Sequence, residues 1–187
     1  MFNGINIVLL TKGVAVEGTA ILEREKRAFL ERKLGKALVL RAQRLLFRPG
    51  ISVVREARLA LRHGEVRAMH DPTEGGLLSG LYELAQAGGV GLQIWRGRIP
   101  VLPETQALAT ALGFDPLGLI ASGALLVVVS RRSVEATLRA LRRNRILTAL
   151  IGEVRGSEEG MQLEESDGRT SPLHVPARDE IARLLGG

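Results

Sequence analysis

Apolar positions along this chain switch between two spacings. Residues 5–10 form an apolar run of strand length that Thr11-Lys12-Gly13 breaks, which predicts a buried strand. From Val16 the spacing becomes helical. Ala20, Ile21 and Leu22 occupy its early turns, and Leu30, Leu34, Leu38 and Leu45 continue it to about Phe47, with Gly35 weakening the middle. Pro49-Gly50 ends that segment, and residues 51–61 predict another helix that stops near His63-Gly64. A strand at 66–69 and a helix over 72–87 follow, the helix stopped by Gly88-Gly89. Residues 90–95 read as a strand and 99–102 as extended chain. Pro103 opens a helix closed by Gly113, and Asp115-Pro116 caps a single turn over 117–121. Residues 124–129 carry the strongest strand signal. Val134, Leu138 and Leu141 mark a helix, 148–154 a strand, 160–163 and 173–175 a hairpin, and 178–185 a short helix. Strands alternate with helices early and pair as hairpins late. The expected class is α/β (α+β), a mixed sheet flanked by helices, in one domain over residues 1–187.

Composition narrows the picture. The chain is 45% hydrophobic, enough for a real core, and has no cysteine, which removes disulfides, thiolate metal sites and cysteine nucleophiles. No stretch approaches about 20 apolar residues, and the first residues lack the basic region of a signal peptide. A cytoplasmic location without membrane association is expected. The net charge of +6 concentrates in two runs. One comprises Arg24, Lys26, Arg27, Arg32, Lys33, Lys36, Arg41, Arg44 and Arg48. The other comprises Arg131, Arg132, Arg139, Arg142, Arg143 and Arg145. Such runs suit a polyanion, yet solvated helix faces are the favoured explanation. Aromatics at 3% argue against base stacking, so a nucleic-acid partner is not expected.

Candidate chemistry gathers at His70-Asp71-Pro72-Thr73-Glu74-Gly75-Gly76-Leu77, between a strand and a helix. Asp71 is a good N-cap, Pro72 fits the first turn, and Glu74 falls where a capping box places its acid. Gly75 and Gly76 leave the backbone bare, and helix N-termini attract anions. A second loop, 11–18, also follows a strand and opens a helix, with Gly13, Glu17 and Gly18. If the two strands are parallel in one sheet, the loops share a crevice. Neither loop is a Walker motif. Plainer readings stand beside these. Asp71 caps the helix for roughly 1 kcal/mol, Thr73 bonds locally, and Glu74 opposes an anion at that helix end. Gly75 and Gly76 serve close packing, His70 is an ordinary loop histidine, and Lys12 is solvated. His63 and His174 show no metal-ligand spacing, and no metal site is expected.

The order of motifs resembles the C-terminal domain of the aminoimidazole ribonucleotide synthase superfamily, in its synthase-related branch near the hydrogenase maturation carbamoyl dehydratase. The matching stretches are 7–11, 17–22, 68–77, 89–91, 99–101, 112–117, 123–125 and 151–154. The resemblance implies a mixed sheet flanked by helices. It further implies a nucleotide cleft shared with an N-terminal domain that carries the ATP–magnesium machinery, and a C-terminal half that contributes the loops matching 71–76 and 13–18. The family's second half begins almost at Met1, so that machinery, with its ATP and magnesium, is expected only with a partner N-terminal domain. The dehydratase's C-terminal cysteine has no counterpart in the ending Leu184-Leu185-Gly186-Gly187, so its carbamoyl transfer is not expected here. Glu17 stands where relatives usually carry histidine or asparagine, and Glu74 where the dehydratase is basic. Both add negative charge to the crevice, which suits a magnesium-bridged or neutral substrate.

The expected function is therefore the substrate-side half of an ATP-dependent synthase-related enzyme, inactive alone. Asp71, Thr73, Gly75 and Gly76 are the cleft residues, with Gly13, Glu17, Gly18 and His70 behind them. The alternative is a non-catalytic interaction, oligomerisation or nucleic-acid-binding module. A homo-oligomer would cover the face that an N-terminal domain otherwise takes.

Overall fold

The computed structural model describes residues 5–186; residues 1–4, searched above for an export signal, lie outside them. Seven strands form one sheet: β1 (Asn6–Thr11), β2 (Val66–His70), β3 (Gly91–Trp95), β4 (Leu126–Ser130), β5 (Thr148–Arg155), β6 (Met161–Glu164) and β7 (Thr170–Pro172). Their order is β2-β4-β1-β5-β3-β6-β7. Strand β4 runs antiparallel to both β1 and β2, so β1 and β2 point the same way. Strands β3 and β6 pair in parallel and the other neighbours are antiparallel, so the sheet is mixed, as the pattern predicts.

The helices are α1 (Val16–Glu25), α2 (Arg27–Leu34), α3 (Lys36–Arg44), α4 (Val54–His63), α5 (Gly76–Gly88), α6 (Pro103–Leu112), α7 (Val134–Arg143) and α8 (Glu180–Leu185). Pleating sorts the apolar runs onto two faces. Val8, Leu10, Leu126 and Val128 enter the larger core, with Leu22, Leu30, Val39, Leu81 and Leu108 from α1, α2, α3, α5 and α6. Ile7, Leu9, Val127 and Val129 point the other way, under Ala60 of α4 and Val134 and Leu138 of α7. Continuous apolar runs are thus strands covered on both sides. None of the described helices is long and apolar enough to cross a membrane.

Several boundaries differ from expectation. The helical stretch over 16–47 is three helices, broken at Lys26 and at Gly35, whose φ of +85° no helix accommodates. The second hairpin strand lies at Thr170–Pro172, just before 173–175. Lys12 is not solvated: it is 4% exposed. Its ammonium donates to Gly50 O at 2.9 Å and Ser52 O at 2.6 Å and pairs with buried Glu56 at 3.1 Å. All three of its protons are spent tying the 50–52 loop and α4 to the end of β1.

Glu23 is 0% exposed, and neither carboxylate oxygen has a hydrogen-bond partner. Burial pushes its pKa up, and the Arg27 charge, 3.6 Å away, opposes this only in part. Folding therefore favours protonated Glu23. The ionised form costs stability above the raised pKa, and the cost fades as pH falls through it towards the ordinary 4.5. Glu23→Met is expected to stabilise the fold by ~1 kcal/mol at neutral pH. Urea melts over a pH series should show that gain shrinking as the medium is acidified.

Candidate functional site

Because β1 and β2 are mutually parallel with only β4 between them, the loops 11–18 and 70–76 leave the same end of the sheet. They meet on the segment 117–121. Gly18 N–H donates to Ile120 O at 3.3 Å, and Ala121 N–H donates to Thr73 O at 3.2 Å. A Cβ on Gly18 would stand 2.5 Å from Leu119 Cγ and 2.9 Å from Ile120 O. One on Gly76 would stand 2.5 Å from Leu117 O and 2.7 Å from Leu119 O. The turn that opens this segment is capped as the sequence predicts. Asp115 Oδ1 accepts from Leu117 N–H at 3.0 Å, and Arg96 donates to the same oxygen at 2.7 Å.

The start of α5 overturns the expected cap. The helix begins at Gly76 with left-handed Gly75 (φ +73°) at its N-cap, so Asp71 caps nothing and Glu74 closes no capping box. The physical reason is Pro72. It is buried against Gly80, one turn inside the helix, where an added Cβ would be 2.6 Å from Pro72 Cβ. The chain folds back along α5 before entering it, and two positive-φ glycines make the reversal. The cap comes instead from the far end of the chain. Asp179 Oδ2 accepts from Gly75 N–H at 2.7 Å. Its Oδ1 accepts from Ile120 N–H at 3.3 Å and from Ile181 N–H at 2.7 Å, which also caps α8. Gly76 N–H donates to Thr73 O at 3.1 Å. Gly75 and Gly76 are buried, and their amides are satisfied by the chain itself rather than bared to a ligand.

The remaining predicted residues divide cleanly. Asp71, Thr73 and Glu74 are exposed and Glu17 is half-buried on the first turn of α1. None of these four side chains has a hydrogen bond or ion pair among the described residues. His70 is half-buried and its Nε2 lies 2.7 Å from Glu83 Oε2 on α5. Gly13 is buried, with N–H donating to Thr11 O at 2.8 Å, and its position is crowded by Pro100 O. No group of three or more potential metal-binding side chains occurs among the described residues. Sequence reasoning missed Asp179. Its place ahead of a helix was visible as a capping signal, but its reach to Gly75 spans 104 residues.

Residues 6–163 match the family described as AIR synthase related protein, C-terminal domain, and the chain belongs to that family. Within it the chain is similar to the carbamoyl dehydratase HypE. The Escherichia coli protein is 31% identical over 121 residues, which is 64% of this chain and 36% of that one. The crystal structure of E. coli HypE, a hydrogenase maturation protein, superposes with a TM-score of 0.73 at 25% identity, over 97% of this chain and 53% of the other. A HypE crystallised in complex with ATP shares the fold, with a TM-score of 0.71 at 21% identity over 94% of this chain and 52% of that one. The chain thus spans about half of these structures, and about a third of the E. coli sequence is aligned to it.

Three substitutions test the geometry. Gly76→Ala combines a left-handed backbone with a collision against carbonyl oxygens and is expected to cost about 3 kcal/mol or more. Gly89→Ala, at φ +60° with nothing within 4 Å, isolates the backbone part at about 1 kcal/mol. Denaturant midpoints would compare them. Asp179→Ala is expected to cost about 2 kcal/mol and to speed amide exchange at Gly75 and Ile120 specifically.

Proposed function

We propose that this chain is the substrate-side half of an ATP-dependent synthase-related enzyme. Its 11–18 and 70–76 loops would line a cleft closed by a nucleotide-binding N-terminal region. The observation that carries the reading is the convergence of both loops at one end of the sheet, with the Glu17, Asp71, Thr73 and Glu74 side chains left without partners among the described residues. The related HypE crystallised with ATP supports the nucleotide as the co-substrate. Thr73 and Asp71 would contact substrate or metal-bound phosphate. Gly75 and Gly76 shape their loop, Gly13 and Gly18 bring the other loop into close packing, and His70 with Glu83 flanks the crevice.

The donor set bears on the cofactor. Loops 11–18 and 70–76 present three carboxylates with no partner among the described residues, while their single lysine, Lys12, is fully engaged. A bare triphosphate is repelled by such a surface, whereas one carried on magnesium brings a cation that oxygen ligands favour. ATP and magnesium would then arrive on the N-terminal region, with Asp71 or Glu74 completing the shell.

The 187-residue chain alone is expected to hydrolyse no ATP. Joined to the N-terminal half of a HypE-type relative, it should support magnesium-dependent nucleotide turnover that Asp71→Ala and Thr73→Ala each lower by about tenfold. Magnesium-dependent turnover by the lone chain would contradict this assignment.

A further inference from the structure

A cavity of about 740 Å³ lies where α4, the turn after α7 and the start of β5 meet. Its floor holds the buried Lys12–Glu56 pair, whose charges cancel. Glu56 is the one acidic residue in its lining, so the charge of the cavity is set by Arg55, Arg143 and Arg145. None of these arginines has a carboxylate partner among the described residues. Arg55 is held in place by Asn144, whose Oδ1 accepts from its Nη2 at 2.9 Å. Leu102, Ile146 and Leu147 give the lining its apolar part.

Compensation of the α7 dipole explains Arg143, which sits in the last turn of that helix. It does not explain Arg55, on a different helix, or Arg145, beyond the helix end. Arg145 adopts φ +60°, and Lys12 likewise φ +60°. Two of the three non-glycine residues with positive φ among those described therefore line one cavity. Backbone strain of this kind gathers at ligand sites. Cavities of roughly 300–1,000 Å³ suit small molecules.

We infer that this cavity binds a small phosphate ester, with the phosphate held by Arg55, Arg143 and Arg145 and the body packed on Leu102, Ile146 and Leu147. Guanidinium groups match phosphate oxygens in pairs, and the concave apolar wall favours a compact ester over the flat backbone of a duplex. Lys12 of the floor belongs to the 11–18 loop, but Arg55, Arg143 and Arg145 lie outside both glycine loops, so the inference does not depend on the cleft reading.

Titration of the whole chain with AMP, adenosine, inorganic phosphate and a short DNA duplex, read by amide chemical shifts, tests it. AMP is expected to bind with a Kd below ~1 mM, with inorganic phosphate about tenfold weaker and adenosine silent. The shifts should centre on Ser52 and Arg145 to Leu147. Arg145→Gly keeps the left-handed backbone without strain, so its Tm should hold or rise while AMP affinity falls about tenfold. Arg143→Ala should weaken AMP in the same direction. An Arg145→Gly variant that binds AMP as tightly as the parent overturns the proposal. So do shifts centred on Gly75 and Ile120, an absence of AMP binding, or duplex binding tighter than AMP, which would make this a polyanion surface.

Discussion

The tightest constraint in this molecule is the clasp between residues 117–121 and two glycines. Gly18 on α1 and Gly76 on α5 come so near the backbone of Leu117, Leu119 and Ile120 that a methyl group fits at neither. Hydrogen bonds from Gly18 to Ile120 and from Ala121 to Thr73 close the contact from both sides. The segment therefore acts as a rigid spacer that sets how far apart the two helix starts can lie. The glycine loops owe their composition first to this packing. Any ligand role is laid over a geometry that already demands glycine at Gly18 and Gly76.

The same end of the sheet settles its electrostatics internally. A helix N-terminus carries about half a positive charge. Helix α1 has Glu17 in its first turn, and α5 has Asp179 bonded to the Gly75 amide. Both positive ends are thus met by the protein's own carboxylates. An incoming phosphate would have to displace Asp179, which holds three amides on three separate segments. Breaking those charge-assisted bonds costs more than a single helix end returns. The amide that opens α5 is thus already occupied, and Glu17, Asp71 and Glu74 add negative charge with no partner among the described residues.

Much of this fold was legible from periodicity. The apolar runs at 5–10 and 124–129 became β1 and β4 at the centre of the sheet, because a strand buried on both faces needs no alternation. The Asp115 turn and the Gly113 stop were equally readable, since both depend on neighbours two to four residues away. What failed were local rules overruled at long range. Asp71 and Glu74 stand in good capping positions, yet Pro72 prefers the surface of α5 and the helix starts four residues late. Lys12 looked solvated because its acceptors at Gly50, Ser52 and Glu56 lie some forty residues away. That the two loops leave one end of the sheet was legible only as a condition on β1 and β2 being parallel, which the tertiary pairing with β4 meets. The occupant of the crevice amides was not legible, because Asp179 reaches them only through the tertiary fold.

Charge shows the same division between count and placement. The two arginine-rich runs look alike in sequence, but their surroundings differ. In the first, Arg24 meets Glu25, Arg27 meets Glu23 and Glu31, and Arg41 meets Glu104. Much of that run is solvated helix surface with neighbouring acids, which weakens a polyanion reading of it. In the second, Arg132 pairs with Glu65, while among the described residues Arg139, Arg143 and Arg145 reach no carboxylate, nor do Arg55, Arg58 and Arg62 on adjacent α4. Lys26, Arg32, Lys33, Lys36, Arg44 and Arg48 of the first run also reach no carboxylate among the described residues; what sets the α4–α7 side apart is that Arg55, Arg143 and Arg145 line one cavity. The anion site we infer is displaced from the glycine loops, where the motif suggests it, to a cavity where Arg55 joins Arg143 and Arg145 only on folding.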